Sequence, residues 1–310
     1  MNPDFTQIIW DQQLADDCRQ LVRLAVREDL ERQLDWTTVA LVREGATGCA
    51  AVVARQAGVI SGLRAAELAL DEMEIKADWV PVVEDGARVG AGSSVATLFG
   101  QARDLLTSER ILLNLIGRLS GIATLTRRFV DAVAGTKSRI YDTRKTTPGM
   151  RRLEKYAVRC GGGNNHRTGL FDAVLIKDNH LALSAQAVEH RPLPAGAAVR
   201  QVRQFLQQRL TGDPRLRNMI VEIEVDTLEQ LEQVLPAAPD IVLLDNMTVD
   251  QLRQAVARRD LLAPAIELEA SGGIDLHTIR SVAETGVDRI SVGALTHSAG
   301  CLDVGLDWMP

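Results

Sequence analysis

Apolar and polar positions recur along this chain with two different periods, and the arrangement changes near residue 138. Before that point, Leu14, Cys18, Leu21, Val22, Ala25 and Val26 fall at helical spacing and predict an amphipathic helix ending near Leu30. Asp35-Trp36-Thr37-Thr38 reads as a loop. Residues 49–53 and 59–60 read as short strands, with Gly58 and Gly62 marking turns. Residues 64–74 predict a helix with Ala65, Leu68 and Ala69 on its apolar side. Further strands are expected over 79–83 and 95–99, with a turn at Glu84-Asp85-Gly86. Residues 105–130 are helical in pattern, apolar at Leu106, Ile111, Leu112, Leu115, Ile116 and Leu119. Gly117 and Gly121 interrupt that run and mark either close packing or the end of a first helix.

After residue 138 short apolar runs alternate with helical segments. Strands are expected at 173–176, 220–225, 241–244, 266–270 and 289–292, with helices at 227–235, 249–257 and 276–284 between them. Single helices between strands imply parallel pairing with right-handed crossovers. Polar or glycine residues end every strand: Lys177-Asp178-Asn179-His180, Asp226, Asp245-Asn246, Ser271-Gly272-Gly273 and Gly293. That favours a barrel, whose active sites form at the C-terminal ends of the strands, over an open sheet. The run is short of eight units, which implies an incomplete or six-stranded core. Neither the dinucleotide fingerprint nor the ATP-binding loop is present.

Composition changes this picture little. The 310 residues are 46% hydrophobic and 25% charged, with a net charge of −6, as in an ordinary globular protein. The first residues lack the basic flank and apolar run of a secretion signal, and no stretch is long and apolar enough to span a bilayer. The four cysteines are widely spaced and form no C-x-x-C, which favours reduced thiols in a cytoplasmic protein over a structural zinc site. An acidic total with few aromatics argues against nucleic acid as a partner.

Charge placement is more informative. Residues 139–177 hold nine Lys/Arg against three Asp/Glu, a cationic island in an acidic chain, as an anion site requires. It is broken by the turn Thr147-Pro148-Gly149 and the loop Gly161-Gly162-Gly163-Asn164-Asn165-His166. Loops of this kind position groups around ligands more often than they decorate a solvated face. Ser271-Gly272-Gly273 and Ser291-Val292-Gly293 follow the last two strands, where bare backbone N–H groups can cradle a phosphate. Glu222 and Glu224 share one strand face, and Asp245 ends the next strand. Carboxylates there can hold magnesium, stabilise positive charge on a sugar carbon, or simply pair with Lys145 or Lys177. Arg110, beside Glu109 in an otherwise apolar helix, forms a local ion pair or projects into a ligand site, including one on a neighbouring subunit.

Seven segments carry a resemblance: DTRKTTPG (142–149), GGGNNHRTGL (161–170), LIKDNH (175–180), EIEVDTLEQL (222–231), LLDN (243–246), EASGGI (269–274) and SVGALTHS (291–298). Together, and in this order, they resemble the quinolinate phosphoribosyltransferase family, over nearly the whole chain. One departure is residues 28–35, EDLERQLD, where the family carries a glycine-rich EDLG-x-GD-like turn.

The resemblance implies an N-terminal α/β sandwich domain (1–118), an incomplete α/β barrel of the type II phosphoribosyltransferase kind (119–298), and a tail (299–310) returning to the first domain as a short strand over 302–306. It implies decarboxylating transfer of phosphoribose from phosphoribosyl pyrophosphate to quinolinate, with magnesium as cofactor, in a homodimer or dimer-based oligomer. Arg110, crossing from the partner, joins Arg144, His166, Arg167 and Lys177 around quinolinate. Two adjacent carboxylates on a planar ring suit guanidinium forks. Lys145 resembles a pyrophosphate ligand, Glu224 and Asp245 magnesium ligands. Ser271, Gly272, Gly273 and Gly293 resemble the 5′-phosphate cradle, with His297 beside it. The competing readings are a transferase acting on nicotinate, which needs fewer cations; a Schiff-base lyase using Lys177 or Lys145; a metabolite-binding protein without turnover; and, for His166, a buried structural histidine.

Overall fold

A computed structural model of the chain describes residues 4–184, 193–209, 212, 213, 216 and 218–309. Residues 1–3 and 310, at the ends of the expected first domain and tail, lie outside them. The chain packs into two compact units, each discontinuous in sequence. One takes in residues 4–7, Phe129–Arg144 and Asn164–Gly293; the other takes in Ile8–Arg128, Lys145–Gly163 and residues 294–309. The cut between the two units near residue 128 falls inside one helix, α4 (Ala102–Ala132).

In the second unit, α1 (Gln12–Leu30) starts at Asp11, whose carboxylate accepts the Leu14 N–H, and buries Leu14, Ala15, Cys18 and Val22. Its last turn leads into Glu31 and Arg32, both at positive φ (44° and 65°). These residues keep the left-handed turn that glycine favours, although neither is glycine. The Asp35–Thr38 segment is helical: Asp35 caps α2 (Trp36–Leu41) by accepting the Thr38 N–H, the ordinary preference of an aspartate at that position. The expected loop is therefore a short helix.

Strands β1 (Thr47–Ala54), β3 (Ala77–Pro81), β5 (Ser94–Gln101) and β12 (Val304–Met309) form a sheet in the order β12-β1-β5-β3. β12 pairs antiparallel with β1, Cys49 opposite Met309. β2 (Gly58–Val59) and β4 (Arg88–Val89) form a separate ribbon, and α3 (Leu63–Glu72) packs against α1. The helix α4 runs unbroken through Gly117 and Gly121. A Cβ on Gly117 would lie 3.0 Å from the Leu302 carbonyl oxygen, and one on Gly121 would overlap the Gly300 carbonyl. Both glycines serve close approach of the tail. The helix α5 (Arg151–Cys160) completes this unit.

The first unit is a six-stranded parallel sheet in the order β6-β11-β10-β9-β8-β7, made of β6 (Arg139–Tyr141), β7 (Ala173–Ile176), β8 (Ile220–Val225), β9 (Ile241–Asp245), β10 (Glu267–Ser271) and β11 (Arg289–Ser291). That is chain order around a barrel left open between β6 and β7. Residues from Asn164 onward lie along the open edge, where Asn164 bridges Tyr141 and its N–H donates to the Ile140 carbonyl at 2.8 Å. The connecting helices are α6 (Asp178–Ala182), α7 (Ala195–Arg209), α8 (Leu228–Val234), α9 (Val249–Leu262) and α10 (Ile279–Ala283). Thr227 with Gln230, and Thr248 with Gln251, form capping boxes that start α8 and α9. α11 (Ala294–His297) begins the stretch that returns to the other unit.

Register fixes the barrel interior. Glu222 lies opposite Ile241, Glu224 opposite Leu243, Glu269 opposite Leu243 and Arg289, and Ser271 opposite Asp245. Strand residues two apart share a face, so the inward rows are rich in charge where barrels usually carry branched aliphatic layers.

Candidate active site

Asp142 follows β6 and is fully buried. Its two oxygens accept the His166 N–H at 2.8 Å and the Asn165 side-chain amide at 2.7 Å. A carboxylate at the end of one strand thus anchors the loop that closes the open edge, which ties the 142–149 and 161–170 motifs together physically. Asp172 does the same one turn later, accepting the Thr168 and Gly169 N–H groups at 2.7 and 3.1 Å. His166 and Arg167 are held between these anchors and are buried.

His166 Nδ1 accepts the Arg167 N–H at 2.8 Å, so the neutral ring carries its proton on Nε2. Nε2 lies 3.1 Å from Glu222 Oε2 and 3.5 Å from Glu269 Oε1. Both contacts are off the donor direction, since neither carboxylate has an oxygen accepting a well-formed hydrogen bond. Burial pushes the Glu222 carboxyl up to about 8. Burial, then the neighbouring Glu222, push Glu269 up to about 7. Both therefore hold protons far more readily than an exposed glutamate. The ligand atoms of these three side chains lie within 4.8 Å of one another. A role for Glu269 was not read from the sequence, whereas a buried His166 was among the readings left open. A signal was available: Glu267 and Glu269 on β10 repeat the alternate-residue pattern of Glu222 and Glu224 on β8.

Toward the strand ends the groups change to cations and half-buried acids. Arg167 is held below the usual guanidinium range, first by burial and second by the Arg144 guanidinium, with Glu222 and Asp172 opposing. Lys177 Nζ donates to Glu224 Oε2 at 2.7 Å, both partly exposed. Asp245 ends β9 and accepts from the Asn246 side chain at 2.7 Å. Ser271, Gly272 and Gly273 follow β10, the glycines at φ 93° and 60°. A Cβ on Gly272 would fall on the Asn246 side chain and 3.0 Å from its backbone nitrogen. Gly293 follows β11 in the same unit.

The barrel unit therefore brings together Arg144, His166, Arg167, Lys177, Glu224, Asp245, Ser271, Gly272, Gly273 and Gly293. Lys145, His297 and Arg110 belong to the other unit. There, the Thr296 hydroxyl donates to the Lys145 carbonyl at 2.7 Å, tying Lys145 to α11 and His297. Arg110 lies 3.9 Å from Glu109, with 67% of its side chain exposed. Five of the nine cations in the 139–177 island are engaged within the fold. Arg139 pairs with Asp4 and Glu267, Arg152 with Asp17, Arg151 donates to the Thr146 hydroxyl, Arg159 to the Gly163 carbonyl, and Lys155 is fully buried.

Comparison with known proteins identifies the family. Residues 35–120 match the family model for the quinolinate phosphoribosyl transferase N-terminal domain, and residues 122–307 that for its C-terminal domain. A nicotinate-nucleotide pyrophosphorylase [carboxylating] of Mycobacterium leprae is 48% identical over 295 residues, 94% of this chain and 97% of the relative. A probable enzyme of the same name from Bacillus subtilis is 39% identical, covering 85% of this chain and 84% of the relative. The solved nicotinate-nucleotide pyrophosphorylase of Francisella tularensis superposes with a TM-score of 0.85 at 34% identity, over 99% of this chain and 100% of that one. With the two domain models together matching residues 35–120 and 122–307, the chain belongs to the quinolinate phosphoribosyltransferase family.

Proposed function

We propose that the chain transfers phosphoribose from phosphoribosyl pyrophosphate to quinolinate, releasing pyrophosphate and carbon dioxide and forming nicotinate mononucleotide for de novo NAD synthesis. The observation that carries this reading is the buried pair His166 and Arg167, fixed between the Asp142 and Asp172 anchors in the same unit as Arg144 and Lys177. Clustered cations of this kind suit a ligand of opposite charge. A ring bearing two adjacent carboxylates supplies that charge in a planar form that guanidinium forks match.

In this reading Arg144, His166, Arg167 and Lys177, with Arg110 of the partner subunit, hold the two carboxylates and aim the ring nitrogen at the sugar. The exposure of Arg110 within a single chain supports that reach, and with it a homodimer or dimer-based oligomer. Lys145 takes the pyrophosphate. Ser271, Gly272, Gly273 and Gly293 offer backbone N–H groups to the 5′-phosphate, beside His297. Glu224 and Asp245, on adjacent strands with their carboxylates at one end, form a hard oxygen donor set that fits magnesium. Magnesium bound there neutralises charge on the pyrophosphate oxygens.

As the ring nitrogen bonds to the anomeric carbon, the bond to pyrophosphate breaks and its electron pair leaves with pyrophosphate. Glu224 and Asp245 stabilise the positive charge developing on the sugar, and Lys145 stabilises the negative charge gathering on the leaving pyrophosphate. The alkylated ring then accepts the electron pair of the C2–carboxylate bond, carbon dioxide departs, and a proton takes its place at C2. We place the activity in the cytoplasm; no helix of the described residues is long and apolar enough to cross a membrane.

Purified protein incubated with magnesium, phosphoribosyl pyrophosphate and quinolinate should form nicotinate mononucleotide and carbon dioxide in equal amounts, with little turnover when nicotinate replaces quinolinate. Turnover of nicotinate alone would overturn the assignment of the arginines. Arg144→Ala should raise the quinolinate KM or lower kcat without lowering Tm; unchanged kinetics would remove Arg144 from the site.

A further inference from the structure

Residues 4–7 pack with the barrel unit, although the residues that follow them belong to the other unit. Asp4 sits on the barrel floor. Its carboxylate accepts from Arg289 at 2.9 Å, from Arg139 at 3.0 Å and from the Tyr141 hydroxyl at 3.0 Å. Phe5 is 4% exposed and belongs to a cluster with Tyr141, Ala173, Ile220 and Ile241. Its ring stacks on the His166 imidazole at 4.2 Å between centroids and 26° between planes. The opposing contacts on Phe5 are the Tyr141 ring, edge-on at 6.4 Å, and the Arg289 guanidinium at 5.4 Å. Gln7 clamps the next residue of the loop: Asn165 N–H donates to Gln7 Oε1 at 2.7 Å, and Gln7 Nε2 donates to the Asn165 carbonyl at 3.1 Å.

Asp142 holds the Asn165–His166 segment from the β6 side, and Gln7 and Phe5 hold it from the other. The edges of the imidazole are committed to the Arg167 N–H and toward Glu222 and Glu269. Phe5 stacks against its face. A floor plug alone would need only the apolar bulk of Phe5 and the charge of Asp4. A two-way amide clamp on the backbone of Asn165 adds nothing to a plug, but it fixes where His166 begins.

We infer that the N-terminal arm is part of the quinolinate site: Phe5 and Gln7 are positioning residues that set the placement of His166 and Arg167 against the substrate carboxylates. This rests on the reading of His166 and Arg167 as quinolinate contacts. Misplacing such a group by a fraction of an ångström weakens binding of the one substrate it touches and leaves the other alone.

The test uses the full chain with magnesium, measuring Tm and the KM for each substrate in Gln7→Ala, Phe5→Leu, Phe5→Tyr and His166→Ala. Gln7 is only partly buried, so Gln7→Ala folds even if Phe5→Leu does not. Gln7→Ala and Phe5→Leu should raise the quinolinate KM about tenfold while the phosphoribosyl pyrophosphate KM stays at the parent value. Phe5→Tyr, which keeps the stacked ring, should recover most of that loss. An unchanged quinolinate KM in Gln7→Ala and Phe5→Leu would overturn the inference, as would equal changes for both substrates accompanied by a fall in Tm. His166→Ala separates the two levels. If it cripples quinolinate use while the arm variants do not, the arm inference alone fails; if it leaves quinolinate kinetics unchanged, the substrate role of His166 fails and the inference with it.

Discussion

Burial raises the Glu269 carboxyl from an ordinary 4.5 to about 7, with Glu222 as the second cause. A folded value above the unfolded one means that the folded state binds the proton more tightly. The stability from this group is complete below about pH 4.5 and is lost as the pH rises through about 7. The protein should therefore melt at progressively lower temperature between about pH 5 and about pH 8. Glu269→Gln, neutral throughout, should flatten that decline and raise Tm at the alkaline end; thermal melts across the range check it, and an unchanged slope would exclude Glu269 as the source. At this scale the sequence named the groups that face solvent or end strands. It did not name Glu269, because one glutamate in a short strand has no local mark of being desolvated.

The helices and turns were largely legible. Helical spacing placed α1 and α4 closely, and the Thr-x-x-Gln pairs locate the starts of α8 and α9. The Asp35 segment was misread because a short helix carries too few turns to show a period. The two meanings left open for Gly117 and Gly121 are decided by the tail: the helix continues and the glycines admit Leu302 and Gly300. Gly121→Ala should destabilise the fold by about 1–3 kcal/mol, as overpacking does, measurable by denaturant unfolding. Glu31 and Arg32 hold positive φ without being glycine, where the resemblance leads one to expect glycine. Arg32→Gly should stabilise the protein by about 1 kcal/mol, seen as a higher Tm. No gain would mean that the left-handed turn is compensated by contacts of the arginine side chain.

For the molecule as a whole, the decisive test concerns the proposed reach of Arg110 into a partner's site. Arg110→Ala and Arg144→Ala should each be nearly inactive. If one site uses Arg144 of one protomer and Arg110 of the partner subunit, mixed and reassociated variants should recover roughly a quarter of the parent activity, since half the dimers are mixed and each has one intact site. No recovery after verified subunit exchange would confine Arg110 to its own chain. The sequence by itself determined the alternation of strands and helices, the polar strand ends, the cation island and the glycine turns, because these are local patterns set by side-chain period and backbone freedom. Only the tertiary structure decided which cations are structural and that β12 completes the sheet beside β1. It also decided that residues 4–7 close the barrel floor under His166, and that Glu222 and Glu269 share its interior. Those facts depend on which distant segments meet, and on how much water each meeting excludes, neither of which any short stretch of residues records.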